Sequence, residues 1–182
     1  MSRSQLKQWT AVAAGGTAIL IVIAAGIAAI EGPEYVGAKK CGQCHRNPNL
    51  GNQYGKWESI LHSKSYDALT SPNAMYAANA MGVKEPAKDP KCLRCHAPLF
   101  DKAPDFAYEG VSCEVCHGAG SEFAKLSVMT DRELAVKNGL KLYDGSPDKI
   151  LAFCLGCHDN PHGNPFEFTA AWEKIKHPRP KK

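Results

Sequence analysis

Cys41-Gly-Gln-Cys44-His45 is the first of four copies of one pattern, Cys-x-x-Cys-His. The others are Cys92-Leu-Arg-Cys95-His96, Cys113-Glu-Val-Cys116-His117 and Cys154-Leu-Gly-Cys157-His158. They use all eight cysteines of the chain. The pattern is that of c-type haem attachment, and its chemistry explains its spacing. Two thiols about one helical turn apart can add to the two vinyl groups on one edge of a porphyrin. The histidine that follows then sits beneath the iron as its proximal ligand. The sequence therefore predicts four covalently attached haem c groups, with His45, His96, His117 and His158 as proximal ligands.

Competing uses of cysteine fit less well. Two Cys-x-x-Cys pairs could hold zinc, but zinc does not require a histidine after every second cysteine. A thioredoxin-like site needs one active pair on an α/β fold. A disulfide framework does not predict the histidine either.

Composition agrees. The chain has 182 residues and a hydrophobic fraction of 44%, room for one domain with an appended segment. Sixteen of the 20 residues from Ala11 to Ile30 are apolar, and the remainder is poorer. Large aliphatic and aromatic residues are too sparse over 31–182 for a rich side-chain core, so the macrocycles must supply most of it. Collagen, coiled coil and wholly disordered chains are excluded by composition. With no Gly-rich phosphate loop, a nucleotide-binding α/β domain is excluded too. The formal charge is +4, but residues 31–182 carry only +2, because Arg3 and Lys7 precede the apolar run. About eight haem propionates would make the exported surface acidic overall, so no nucleic-acid partner is expected.

No charged residue lies between Lys7 and Glu31, a run of 23 residues. That is enough for one helix across about 30 Å of hydrocarbon. Trp9 stands at one end, and Arg3 and Lys7 hold the N-terminus in the cytoplasm. Haem attachment takes place outside the cytoplasm, so the two inferences agree. The run is longer than the usual apolar core of a cleaved signal, which favours an uncleaved anchor. Gly26-Ile27-Ala28 would nevertheless serve as a cleavage site. The expected organisation is a cytoplasmic N-terminus at 1–8 and a transmembrane anchor (or uncleaved signal) at 9–30. A linker follows at 31–40, and the tetrahaem cytochrome domain occupies 41–182 on the periplasmic side. The lipid bilayer is thus an expected partner through residues 9–30.

Helix signals fill the gaps between motifs. A helix is expected over 55–69, with His62, Tyr66 and Leu69 on one face. Ser71-Pro72 opens another to about Met81. Thr130-Asp131-Arg132-Glu133 reads as a capping box with Gly139 as the stop. Ser146-Pro147-Asp148 opens a helix into the fourth motif, and a last helix spans Thr169 to Lys176. Strand signals are nearly absent. The expected fold is all-α and loop-rich, with haems as its core.

Only His62, His162 and His177 remain for four sixth coordination positions. At most three haems can be bis-histidine within one chain. The fourth must take methionine, borrow a ligand from another chain or stay five-coordinate, and an open iron can bind a small molecule. His62 and His177 are strong distal candidates. His162, four residues after His158, is too near to cap the far face of its own haem but could reach another. Met75, Met81 and Met129 are candidate thioethers, with core filling the better use for Met75 and Met81.

The text around the motifs resembles the cytochrome c-554 family of tetrahaem cytochromes. The resemblance rests on Tyr35-Val36-Gly37, on the text from Trp57 through a serine to His62, and on Pro86-Ala87-Lys88-Asp89. Gly110-Val111 with Cys113-Glu114, Cys116-His117-Gly118, and Phe166 to His177 complete it. It covers about residues 34–178. It implies an exported electron carrier with haems in stacked pairs, His62 capping the haem of the third motif, His177 that of the fourth, and a five-coordinate second haem. One departure is a missing distal histidine past the third motif, where Val128-Met129 stands. Met129 or His162 would then serve the first haem.

The expected function is electron transfer on the exported side of the membrane, with no catalytic residue, to redox partner proteins such as other cytochromes or a quinol-oxidising complex. A quinol dehydrogenase shares this layout but carries Met shortly after the first motif, where Arg46-Asn47-Pro48 stands here. An enzyme of small nitrogen compounds at an open haem is a third reading. A self-associating haem filament, which requires signal cleavage, is a fourth.

Overall fold

The computed structural model describes residues 32–143, 145–159 and 162–179. The anchor expected at 9–30 lies outside the described residues. Among those described, no helix is long and apolar enough to cross a membrane, and none forms a strand. The fold is ten short α-helices joined by loops and 3-10 turns, as the sequence predicts.

Each motif sits on or against one of these helices. α1 (Ala38–His45) carries the first, α5 (Pro90–His96) the second and α6 (Cys113–His117) the third. α9 (Pro147–Cys154) delivers the fourth, with His158 in the turn that follows. Local chemistry starts them. Asp89 caps α5 by accepting from Lys91 N at 2.8 Å, with Pro90 in the first turn, where its missing N–H costs nothing. Ser146-Pro147 opens α9 in the same style, although Ser146 makes no side-chain cap bond. α4 (Pro72–Ala80) begins at the Ser71 cap, and α10 (Phe168–Ile175) closes the chain.

Two local expectations are corrected. The helix predicted over 55–69 is broken into α2 (Gln53–Glu58), a 3-10 turn (Leu61–Lys64) and α3 (Ser65–Ala68). Ile60 is extended (φ −107°, ψ 165°), and Ser63 Oγ turns back to the Glu58 and Ile60 carbonyls. Such side-chain bonds to freed carbonyls compete with the helix ladder. The break falls before His62, so the turn that carries it runs on into α3. The second correction concerns α8 (Arg132–Lys137). Its cap is Asp131, accepting from Leu134 N at 3.0 Å. Thr130 instead bonds back to the Leu126 carbonyl at the end of α7 (Leu126–Met129).

The protein core is thin. Among the described residues, four of the ten buried apolar residues are alanines, and Leu69, Leu93 and Ala97 form an apolar cluster. It locks α3 onto α5. Burying a leucine contributes about 1.5–3 kcal/mol, so these side chains alone form a modest core for some 150 residues.

Candidate haem-binding site

The eight cysteines are free thiols, none in a disulfide. Burial pushes the Cys116 thiol up to about 11 and, more than its neighbours do, that of Cys157 to about 12. These are neutral thiols, unlike the acidic cysteines of redox catalysts. The motifs meet through their sulfurs. Cys41 lies beside Cys113, and Cys95 beside Cys157. Cys157 Sγ also points to the Arg94 carbonyl, at 4.0 Å. Cys116 lies close enough to Cys154 to feel its charge. The first site therefore adjoins the third, the third the fourth, and the fourth the second.

Three motif histidines are tied by Nδ1. His96 Nδ1 donates to Ser65 O at 2.8 Å, His117 Nδ1 to Lys141 O at 2.8 Å, and His45 Nδ1 to Gln53 Oε1 at 3.1 Å. A carbonyl can only accept, so each ring carries its proton on Nδ1 and presents the lone pair of Nε2 to a metal. Such bonds also orient the ring and raise its basicity as a ligand. His158 is held differently, stacked on Phe166 at 4.4 Å and 17°.

The remaining histidines face motif histidines. Ring centres are 6.1 Å apart for His62 and His158, 6.3 Å for His96 and His162, and 5.9 Å for His117 and His177. A metal–imidazole bond is about 2 Å and a ring nitrogen lies about 1.1 Å from its ring centre, so two imidazoles sharing one iron stand about 6.2 Å apart. The residues fit haem. Burial, before any charge, holds His62, His117 and His177 below the ordinary imidazole range, favouring the neutral form that ligates. His45 is near enough to add to this effect at His117 and His177.

The His62 ring stands beside that of His158 in the fourth motif, and the His177 ring beside that of His117 in the third, whereas the resemblance implies the third and the fourth. The His62 carbonyl accepts from Val111 N at 3.0 Å. The His162 ring stands beside that of His96 in the second motif. Met129 ends α7, half-buried. Met75 and Met81 lie on and just after α4.

Comparison with known proteins follows this geometry. Residues 40–118, the stretch holding the first three motifs, match the family described as cytochrome c554 and c-prime. The chain is 27% identical over 176 residues to cytochrome c-554 of Nitrosomonas europaea, covering 85% of this chain and 70% of that protein. The family match and the relative indicate a c-type cytochrome for electron transfer. No solved structure matches the cytochrome.

Its class implies covalently attached haem c and electron transfer. Two residues of the site carried no role in the sequence reading. Glu114, between the cysteines of the third motif, is 2% exposed. It accepts from Val36 N, Gly37 N and Gly120 N at 2.7–3.1 Å. Glu109 accepts from Ala38 N at 2.9 Å. Together they hold the start of α1 against the third motif. An acidic residue inside a motif that must face a macrocycle was the available signal for Glu114; Glu109 had none.

Proposed function

We propose that this cytochrome carries four haems and relays electrons along them in the order first, third, fourth, second. The observation that carries the reading is the pairing of imidazoles at 5.9–6.3 Å, each pair joining a motif histidine to one outside the motifs. Bound haem supplies one-electron chemistry at its iron. The chain's own residues hold and tune it. Cys41 with Cys44, Cys92 with Cys95, Cys113 with Cys116 and Cys154 with Cys157 anchor the four groups. His45, His96, His117 and His158 are the proximal ligands. His62 completes the fourth site and His177 the third. The thiol contacts Cys41–Cys113 and Cys95–Cys157 support two close pairs of sites, and Cys116 beside Cys154 supports their connection.

In this reading residues 9–30 anchor the cytochrome in the cytoplasmic membrane, with the haem domain outside. Its partners are redox proteins that dock near the first or second motif, the two ends of the series. Expression with a haem-maturation system, followed by intact mass and a pyridine haemochrome assay, tests the count. Four covalent haems per chain, retained in membranes after an alkaline wash, are the expected result. Fewer than four overturns the tetrahaem reading, and release into the wash overturns the anchor.

A further inference from the structure

Seven histidines serve four sites, and the structure shows which site goes short. Three pairs account for six of them. His45 is the seventh. Its Nδ1 is held by Gln53 Oε1, so its Nε2 is oriented for a metal as firmly as those of His96 and His117. Its two histidine neighbours, His117 and His177, are paired with one another. The second motif, by contrast, has a partner. The contact of Cys157 Sγ with the Arg94 carbonyl, at 4.0 Å, brings the fourth motif against the second. A residue five positions past Cys157 can therefore reach across. His162 does so, at 6.3 Å from His96 and 69° between ring planes.

We propose that His162 is the sixth ligand at the second motif, and that the exogenous-ligand site of this cytochrome is at the first, opposite His45. The inference rests on the tetrahaem reading. It reverses the expectation that the second haem is the open one. The class of ligand is a neutral diatomic molecule such as carbon monoxide or nitric oxide. A reduced iron with one imidazole binds these strongly, whereas a second imidazole blocks them. The site stands at one end of the series of four, next to the third motif through Cys41 and Cys113.

The test is carbon monoxide titration of the dithionite-reduced holoprotein, read optically. A haemochrome count of four is established first, so that failure of the tetrahaem reading is seen separately. The wild type should bind one carbon monoxide per chain. His162→Ala should bind two. His162→Met should bind one again and raise the potential of a single haem, because a thioether ligand favours the reduced iron relative to imidazole. Met129→Ala should remain at one. A His162→Ala protein that still binds one overturns the assignment of His162. A wild type that binds none, with Met129→Ala gaining one, places a thioether opposite His45 and overturns the open site. If His162→Ala does not assemble, unchanged potentials in His162→Met overturn the assignment on their own.

Discussion

Glu114 Oε2 accepts a hydrogen bond from the Gly37 amide at 2.8 Å, across 77 residues of chain. A carboxylate between the two cysteines of the third motif thereby fixes the segment that opens the first. Its other partners, Val36 N and Gly120 N, complete a buried acceptor with three backbone donors. Each charge-assisted bond of this kind is worth about 1.5–3 kcal/mol, and an orphaned buried donor costs a similar amount. Glu114→Gln keeps one acceptor oxygen and turns an NH2 toward amides. We expect it to lower the stability of the holoprotein by about 2–4 kcal/mol. Guanidinium unfolding followed by haem absorbance measures this, and a loss under about 0.5 kcal/mol would be that of an ordinary surface site.

Glu109 gives a dependence on pH of known sign. Burial, with the charge of Glu114 adding, raises its pKa, against the lowering bond from Ala38. The folded protein therefore keeps this proton to a higher pH than the unfolded chain does. Stability is fullest below the ordinary glutamate value of about 4.3 and falls as pH rises from there through the raised folded value. Glu109→Gln should flatten that fall. Unfolding midpoints between pH 4 and 7 for both proteins measure it, and parallel curves would contradict it.

Gly110 sits behind His62. Its φ is +66°, and a Cβ there would lie 2.5 Å from Ser65 Oγ and 2.7 Å from the His62 carbonyl oxygen. Left-handed geometry and backbone crowding act together. Gly110→Ala should cost about 2 kcal/mol or more and disturb the seat of His62. Its electron paramagnetic resonance spectrum should show one altered low-spin haem. A wild-type spectrum with full stability would mean that the backbone relaxes there.

The pairing of His62 with the fourth motif is testable through Phe166, which stacks on His158. His62→Met and Phe166→Ala should shift the potential of the same haem, and their effects should be non-additive when combined. Phe166→Ala with His177→Met should be additive, because His177 faces His117. Redox titration of the two double variants distinguishes these outcomes. The opposite pattern would return His62 to the third motif.

Gln53 tunes His45. Gln53→Leu leaves the His45 Nδ1 proton without its acceptor, which lowers the basicity of the imidazole. The potential of the first haem should rise. Gln53 also bonds the Leu50 and Pro178 carbonyls, so stability should fall as well. The potential shift is the reading that a purely structural role would not produce.

The sequence alone determined the haem chemistry, because thioether and ligand positions are fixed within five consecutive residues and do not depend on the fold around them. It determined the all-α character through Ser71-Pro72, Ser146-Pro147 and the absence of alternating strands, all of them local signals. It also determined the shortage of distal histidines, which is a matter of counting. Which histidine faces which motif was decided only in three dimensions. The helix that carries His62 is interrupted at the extended Ile60, where Ser63 bonds back to the Glu58 and Ile60 carbonyls, a break that local periodicity does not record. His162 reaches the second motif because Cys157 meets Cys95, two residues 62 positions apart. The buried carboxylates of Glu109 and Glu114 look like surface charges in the sequence. Only packing, which removes them from water and supplies backbone amides from distant segments, makes them structural anchors.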